Sequence, residues 1–91
     1  MHTVDLMRHK LSVFEPEEIK IVDESARHAG HEGAKGGGGH YFLTIISRQF
    51  ANQSTLTRHR LVYGALGEMM FKDIHALSVK AYTPEEFNLI H

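Results

Sequence analysis

The stretch "ARHAGHEGAKGGGG", Ala26 to Gly39, holds six glycines among small and polar companions and shows no periodic apolar face. Glycine loses more conformational freedom on folding than any other residue, so such a run sustains neither a helix nor a strand interior. It is read as a loop, longer than a simple hairpin needs. It splits the chain into two arms, each of which must supply its own regular structure. Before it, "EIKIVDES" alternates, with Ile19 and Ile21 on one face and Lys20 and Val22 on the other, and ends in turn-forming Asp23 and Ser25. After it, "HYFLTIIS" is rich in aromatic and β-branched residues. Strand, loop and strand predict a hairpin.

The flanking segments read as helices and one more strand. Val4, Met7, Leu11 and Phe14 fall at helical spacing, which predicts a short amphipathic helix over about Thr3–Val13, broken by Pro16. Ser54 is a candidate cap for a helix running from Thr55 to Met70, with Val62, Ala65, Leu66, Met69 and Met70 on one stripe. Gly64 and Gly67 inside it lower helical propensity by about 1 kcal/mol each, and are read as close-packing points against the sheet. "IHALSVKAY" is a third strand. "TPEEF" places Thr83 as N-cap, Pro84 at the first helical position and Glu86 three residues after the cap, which is a capping box before a terminal helix. The predicted order is α-β-β-α-β-α, an α+β fold with helices packed on one face of a three-stranded sheet. Residues 1–91 form one domain, with the glycine-rich loop at about 26–39 and no room for a linker.

Composition limits the function classes. Apolar residues make up 42% and charged ones 23%, ordinary for a globular protein. The net charge of −1 lacks the basic excess of a dedicated nucleic-acid binder, so any such contact would rest on a local patch. With no cysteine, the chain supplies neither disulfides nor thiolate ligands. No apolar run approaches the ~20 residues that span a bilayer. The N-terminus lacks the apolar region of a signal peptide, so a cytoplasmic protein is expected, an organelle matrix being the other setting. No cysteine nucleophile exists, no serine sits in an elbow or triad order, and the tetraglycine lacks the Lys-Ser/Thr of a phosphate loop. Catalysis on a small-molecule substrate is not expected.

Histidine is the anomaly, with eight copies. His75 opens the third strand after the polar turn "FKD". From that place it either projects past the sheet edge as a metal donor or is a half-buried ring bonded to nearby backbone. His28 and His31 lie in the glycine loop, as ligands or as solvated side chains; for His40, packing and hairpin geometry are a sufficient account. "TRHRLVY" puts Arg58, His59 and Arg60 near a helix N-terminus, where backbone N–H groups attract anions, with Arg48 and Lys72 as extensions of that patch. The alternative pairs Arg58 with a carboxylate such as Glu68 or Asp23, leaves Arg60 solvated and makes His59 partly buried. The helix read over Thr55–Met70 runs through Gly64-Ala65-Leu66-Gly67, so no G-x-x-G clamp of the kind that nucleic-acid-binding KH domains place between two helices is expected.

Taken together, "VDES" followed by His28, "GHYF" before a strand, "RHRLVYGAL" on the long helix and "IHALSVKAYTPEEF" at the end resemble the BolA family, from about Leu11 to Phe87. The RHR triplet (58–60) at its distance from the HAL triplet (75–77) is the most specific element. One departure is the insert "HEGAKGGGG", where relatives often carry a shorter stretch with proline. The resemblance implies a class II KH-like fold and partnership with monothiol glutaredoxins of the CGFS type. It also implies a role in handling a [2Fe–2S] cluster for iron–sulfur assembly or iron regulation. It makes His75 the principal ligand and His28 the loop ligand, with His31 the less favoured substitute. The thiolates would come from a glutaredoxin cysteine and glutathione, and the chain alone would bind no cluster tightly. Some bacterial members are described as DNA-binding transcriptional regulators of morphology and stress genes, which is the alternative function.

Overall fold

A computed structural model describes residues 2–25 and 39–90. The first helix, α1 (Thr3–Leu11), continues into a 3-10 turn over Ser12–Phe14, so the predicted stripe is kept across both: Met7, Leu11 and Phe14 are buried and Val4 packs against them. Glu15, at φ 48°, turns the chain out of this segment just before Pro16. Strand β1 (Glu18–Asp23) follows and lays Ile19 and Ile21 on the core while Lys20 and Val22 stay exposed, as the alternation requires.

Strand β2 (Gly39–Ile46) pairs antiparallel with β1, from Glu18 opposite Ile46 to Asp23 opposite Tyr41. The hairpin is therefore present. Its second strand begins one residue earlier than "HYFLTIIS" suggests, because Gly39 belongs to it. A methyl group on Gly39 would lie 2.5 Å from the Tyr41 ring and 2.6 Å from Ser25 Oγ, so any larger residue there would have to displace those two side chains. Tyr41, Leu43 and Ile45 point into the core; Phe42, 52% exposed, points the other way. Buried Ser47 then fastens the end of β2. Its hydroxyl donates to the Phe14 carbonyl at 2.6 Å and accepts from the Gln49 N–H at 3.1 Å.

The helical crossover corrects the sequence reading. Helix α2 covers Thr55–Leu66, capped by the Ser54 hydroxyl accepting from the Thr57 N–H at 3.1 Å. It stops at Gly67, whose φ of 57° and ψ of −127° no residue with a side chain adopts readily. A separate turn of helix, α3 (Met69–Lys72), follows, so Gly64-Ala65-Leu66-Gly67 is a G-x-x-G at a junction between two helices, contrary to the expectation that none lies there. Gly67 is thus a terminator and not a packing point. Gly64 is not one either: a Cβ there would meet open space. The apolar stripe nevertheless reaches the core from both pieces, with Val62, Leu66 and Met69 buried and Ala65 and Met70 packed against them.

Strand β3 (Ile74–Tyr82) lies parallel to β2, giving the mixed sheet order β1-β2-β3. A parallel return needs a crossover of a dozen or more residues, which α2 and α3 provide. Helix α4 (Pro84–Ile90) ends the described chain. Its capping box forms as read: the Thr83 N–H donates to Glu86 Oε1 at 2.8 Å and the Glu86 N–H donates to Thr83 Oγ1 at 3.2 Å. The core lies between the helices and one face of the sheet. The other face carries Lys20, Val22, Phe42, Ala76, Ser78 and Lys80.

Candidate metal-ligand site and partner surface

His75 owes its position to an irregularity in the ladder. Gly39 pairs with Ile74, but the next residue of β2, His40, pairs with Ala76. His75 is therefore the extra residue of a bulge, a device that re-aims a side chain at a sheet rim. Ile74 before it is buried and anchors the strand, while His75 itself is exposed.

The bulge brings His75 against His40, with ring centroids 5.0 Å apart and planes tilted by 44°. His40 is held by its own backbone. Its N–H donates to Ser25 Oγ at 3.2 Å and its C=O accepts from the Glu24 N–H at 2.8 Å. Ser25 is in turn fixed by its N–H donating to Asp23 Oδ1 at 2.8 Å. Hydrogen bonds from Ser25, first its side chain and then its backbone N–H, hold the Asp23 carboxyl below the usual carboxylate range. Beside the pair, on the helix-free face, a hollow of about 210 Å³ is lined by His40, Phe42, Ala76 and Ser78.

This geometry suits a metal in part. Two imidazoles on one metal, with nitrogen–metal bonds of about 2.0–2.1 Å and a near-tetrahedral angle, place their ring centroids about 5 Å apart. The observed 5.0 Å is compatible with that, and equally with two packed rings, whose centroids lie about 4.5–7 Å apart. Among the described residues no group of three or more His, Cys, Asp or Glu is placed to hold a metal ion, so this rim offers two donors and further ones must come from elsewhere. His28 and His31 lie outside the described residues. His40, for which packing and hairpin geometry are a sufficient account on sequence, is the residue that the structure brings beside His75. Its strand-opening position was visible; its neighbour was not.

The RHR segment divides. Arg58 is only 8% exposed. Its guanidinium donates to the Gln53 carbonyl at 2.9 Å, to the Ala81 carbonyl at 3.0 Å and, in a two-pronged pair, to Glu86 at 2.5 and 3.0 Å. Its partner is thus Glu86, not Glu68 or Asp23, and it presents no charge to an external ligand. The Arg58 guanidinium, with the Thr83 N–H, holds the Glu86 carboxyl down at about 2. His59 is half-buried, its ring edge-on to Tyr63 at 6.4 Å, and Arg60 is exposed. Of the proposed extensions, Arg48 lies 4.0 Å from Glu17 and Lys72 lies 3.4 Å from Glu68, both solvent-exposed pairs. Phe71 on α3, four residues before His75, is 89% exposed.

Comparison with known proteins places this geometry in a family. Residues 11–86 match the model for BolA-like protein. The chain is 43% identical over 84 residues to the chloroplastic protein BOLA1 of Arabidopsis thaliana, covering 88% of this chain and 52% of that one, so it spans about half the length of that relative. It is 36% identical over 84 residues to the DNA-binding transcriptional regulator BolA of Vibrio cholerae, covering 91% of this chain and 76% of that one. Among solved structures, BolA1 from Arabidopsis thaliana superposes with a TM-score of 0.81 at 40% identity, covering 94% of this chain and 96% of the other.

Proposed function

The chain belongs to the BolA family, and from that premise we propose that it is a non-catalytic adaptor that joins a monothiol glutaredoxin and handles a [2Fe–2S] cluster as cargo. The observation that carries this reading is the His40–His75 pair: two imidazoles at a metal-compatible spacing on an exposed rim, in a chain without a cysteine. Such a half-site needs a second molecule to supply sulfur donors. His75 is the principal nitrogen donor. His28 and His31 remain candidates for the second, and His40 joins them on geometry. Imidazole ligation raises the potential of a cluster above that of an all-thiolate one. Phe71, exposed on α3 four residues before His75, offers a partner an apolar anchor of the kind that dominates interfaces.

The test is reconstitution of the purified chain with a CGFS glutaredoxin and glutathione, read by the visible spectrum. His75→Ala is expected to change the spectrum of the mixed complex; identical spectra with and without that substitution would end the ligand role. A second reading, a DNA-binding regulator, follows the name of the bacterial relative and the exposed Arg60. Against it stand the net charge of −1 and the internal pairing of Arg58. Salt-dependent retention by one promoter, without comparable retention by random DNA, would favour it.

A further inference from the structure

We propose that the free edge of β3 binds an extended acidic peptide as an added fourth strand. Among the described residues β3 is an edge strand, with β2 on one side only. Successive residues of a strand direct their backbone groups to opposite edges. The Tyr82 carbonyl accepts from the Ser47 N–H at the β2 side, at 2.9 Å, whereas the Ala81 carbonyl accepts from Arg58 on the other side. Two residues back, Val79 shares the orientation of Ala81. Its N–H and C=O, with the Ala81 N–H, therefore point away from β2. Among the described residues no hydrogen bond outside the sheet reaches Val79.

These groups line a groove of about 420 Å³, with Thr55 and His59 of α2 on one wall and Glu86 and Ile90 of α4 on the other. An edge strand beside a helix is the setting in which extended peptides add to a sheet, their main chain supplying affinity and alternate side chains specificity. Charge selects the occupant. Glu86, the acidic residue of the lining, is held by Arg58 and the Thr83 N–H. Lys80, exposed on the helix-free face, has no acidic partner within ion-pair distance among the described residues. A residue added opposite Lys80 shares its face, so an acidic side chain there gains a cross-strand ion pair. The flanking residues lie over Val79 and Ala81 and are best apolar. A nucleic acid fits less well, because the groove's guanidinium is already neutralised. This surface is separate from the His75 rim and does not depend on a cluster.

The experiment uses the full chain, labelled with 15N, and the pentapeptide acetyl-Val-Glu-Val-Glu-Val-amide. Saturable amide shifts centred on Val79–Ala81, with slowed hydrogen exchange at Val79 and Ala81, are expected at sub-millimolar to millimolar peptide. Lys80→Glu is expected to weaken this binding at least fivefold and to tighten binding of acetyl-Val-Lys-Val-Lys-Val-amide; Lys80→Gln should fall between. Four results would overturn the proposal: no saturable shift at millimolar peptide, shifts centred on β1 or on His75, wild-type affinity in both Lys80 variants, or tighter binding of an eight-nucleotide oligothymidylate through the same β3 amides.

Discussion

Arg58 of α2 and Glu86 of α4 meet as a two-pronged ion pair at 2.5 and 3.0 Å, 28 positions apart in the chain, and the same guanidinium holds the Ala81 carbonyl of β3. One nearly buried side chain thus ties the terminal helix, the long helix and the third strand together. Truncating it leaves Glu86 and two carbonyls without their donor. Arg58→Ala is expected to cost about 2–4 kcal/mol, the range for breaking a largely buried charge-assisted network. Glu86 is half exposed, so water takes up part of its loss and Glu86→Gln is expected to cost about 1–2 kcal/mol. Urea denaturation of each variant measures both.

The same pair sets an acid limit. Glu86 is held at about 2 in the fold against an ordinary value of 4.5. A carboxyl with a depressed folded value binds fewer protons folded than unfolded. Its contribution is therefore complete above about pH 4.5–5 and is lost as pH falls toward 2. The urea midpoint of the wild type should drop through that window, and Glu86→Gln should flatten the drop. An unchanged slope in the variant would remove Glu86 as the cause.

The two glycines at the end of α2 should respond with opposite signs. Gly64 is helical, and an added methyl meets open space, so Gly64→Ala is expected to stabilise by about 0.5–1 kcal/mol. Gly67 has φ 57°, and Gly67→Ala is expected to destabilise by about 1–2 kcal/mol. Thermal melts of the two variants decide.

Removing the α4 cap is a local loss. In Thr83→Ala the Glu86 N–H loses its acceptor, while the Thr83 N–H bond to Glu86 survives. The expected cost is about 0.5–2 kcal/mol, read as a lowered urea midpoint with an unchanged slope.

The rim histidine should separate function from stability. His75 is exposed and is the unpaired residue of a bulge, so His75→Ala is expected to alter stability by no more than about 0.5 kcal/mol while changing the spectrum of the reconstituted complex. His40→Ala should perturb the same spectrum if the 5.0 Å ring pair is the working donor set, and leave it unaltered if a loop histidine is the second donor.

Most elements were legible because their signals are local. Alternation around Ile19 and Ile21, the Ser54 cap and the Thr83–Glu86 box lie within a few residues of the structure they specify, and each formed as read. The break at Gly67 was not legible. A glycine in a helical pattern looks the same whether it is tolerated inside the helix, as Gly64 is, or needed for a positive φ just past its end. The apolar period runs through both.

The amino-acid sequence by itself determined three strands with helical segments before, between and after them, the inward faces of helices and strands, the absence of thiolate ligands and the family motifs, since these rest on spacing, turn chemistry and composition. Tertiary structure alone decided that Arg58 turns to Glu86 and that His75 stands beside His40. Those pairs are made by residues far apart in the chain. They depend on the parallel register of β2 and β3, on the single residue that the ladder skips at the rim, and on where α4 comes to rest.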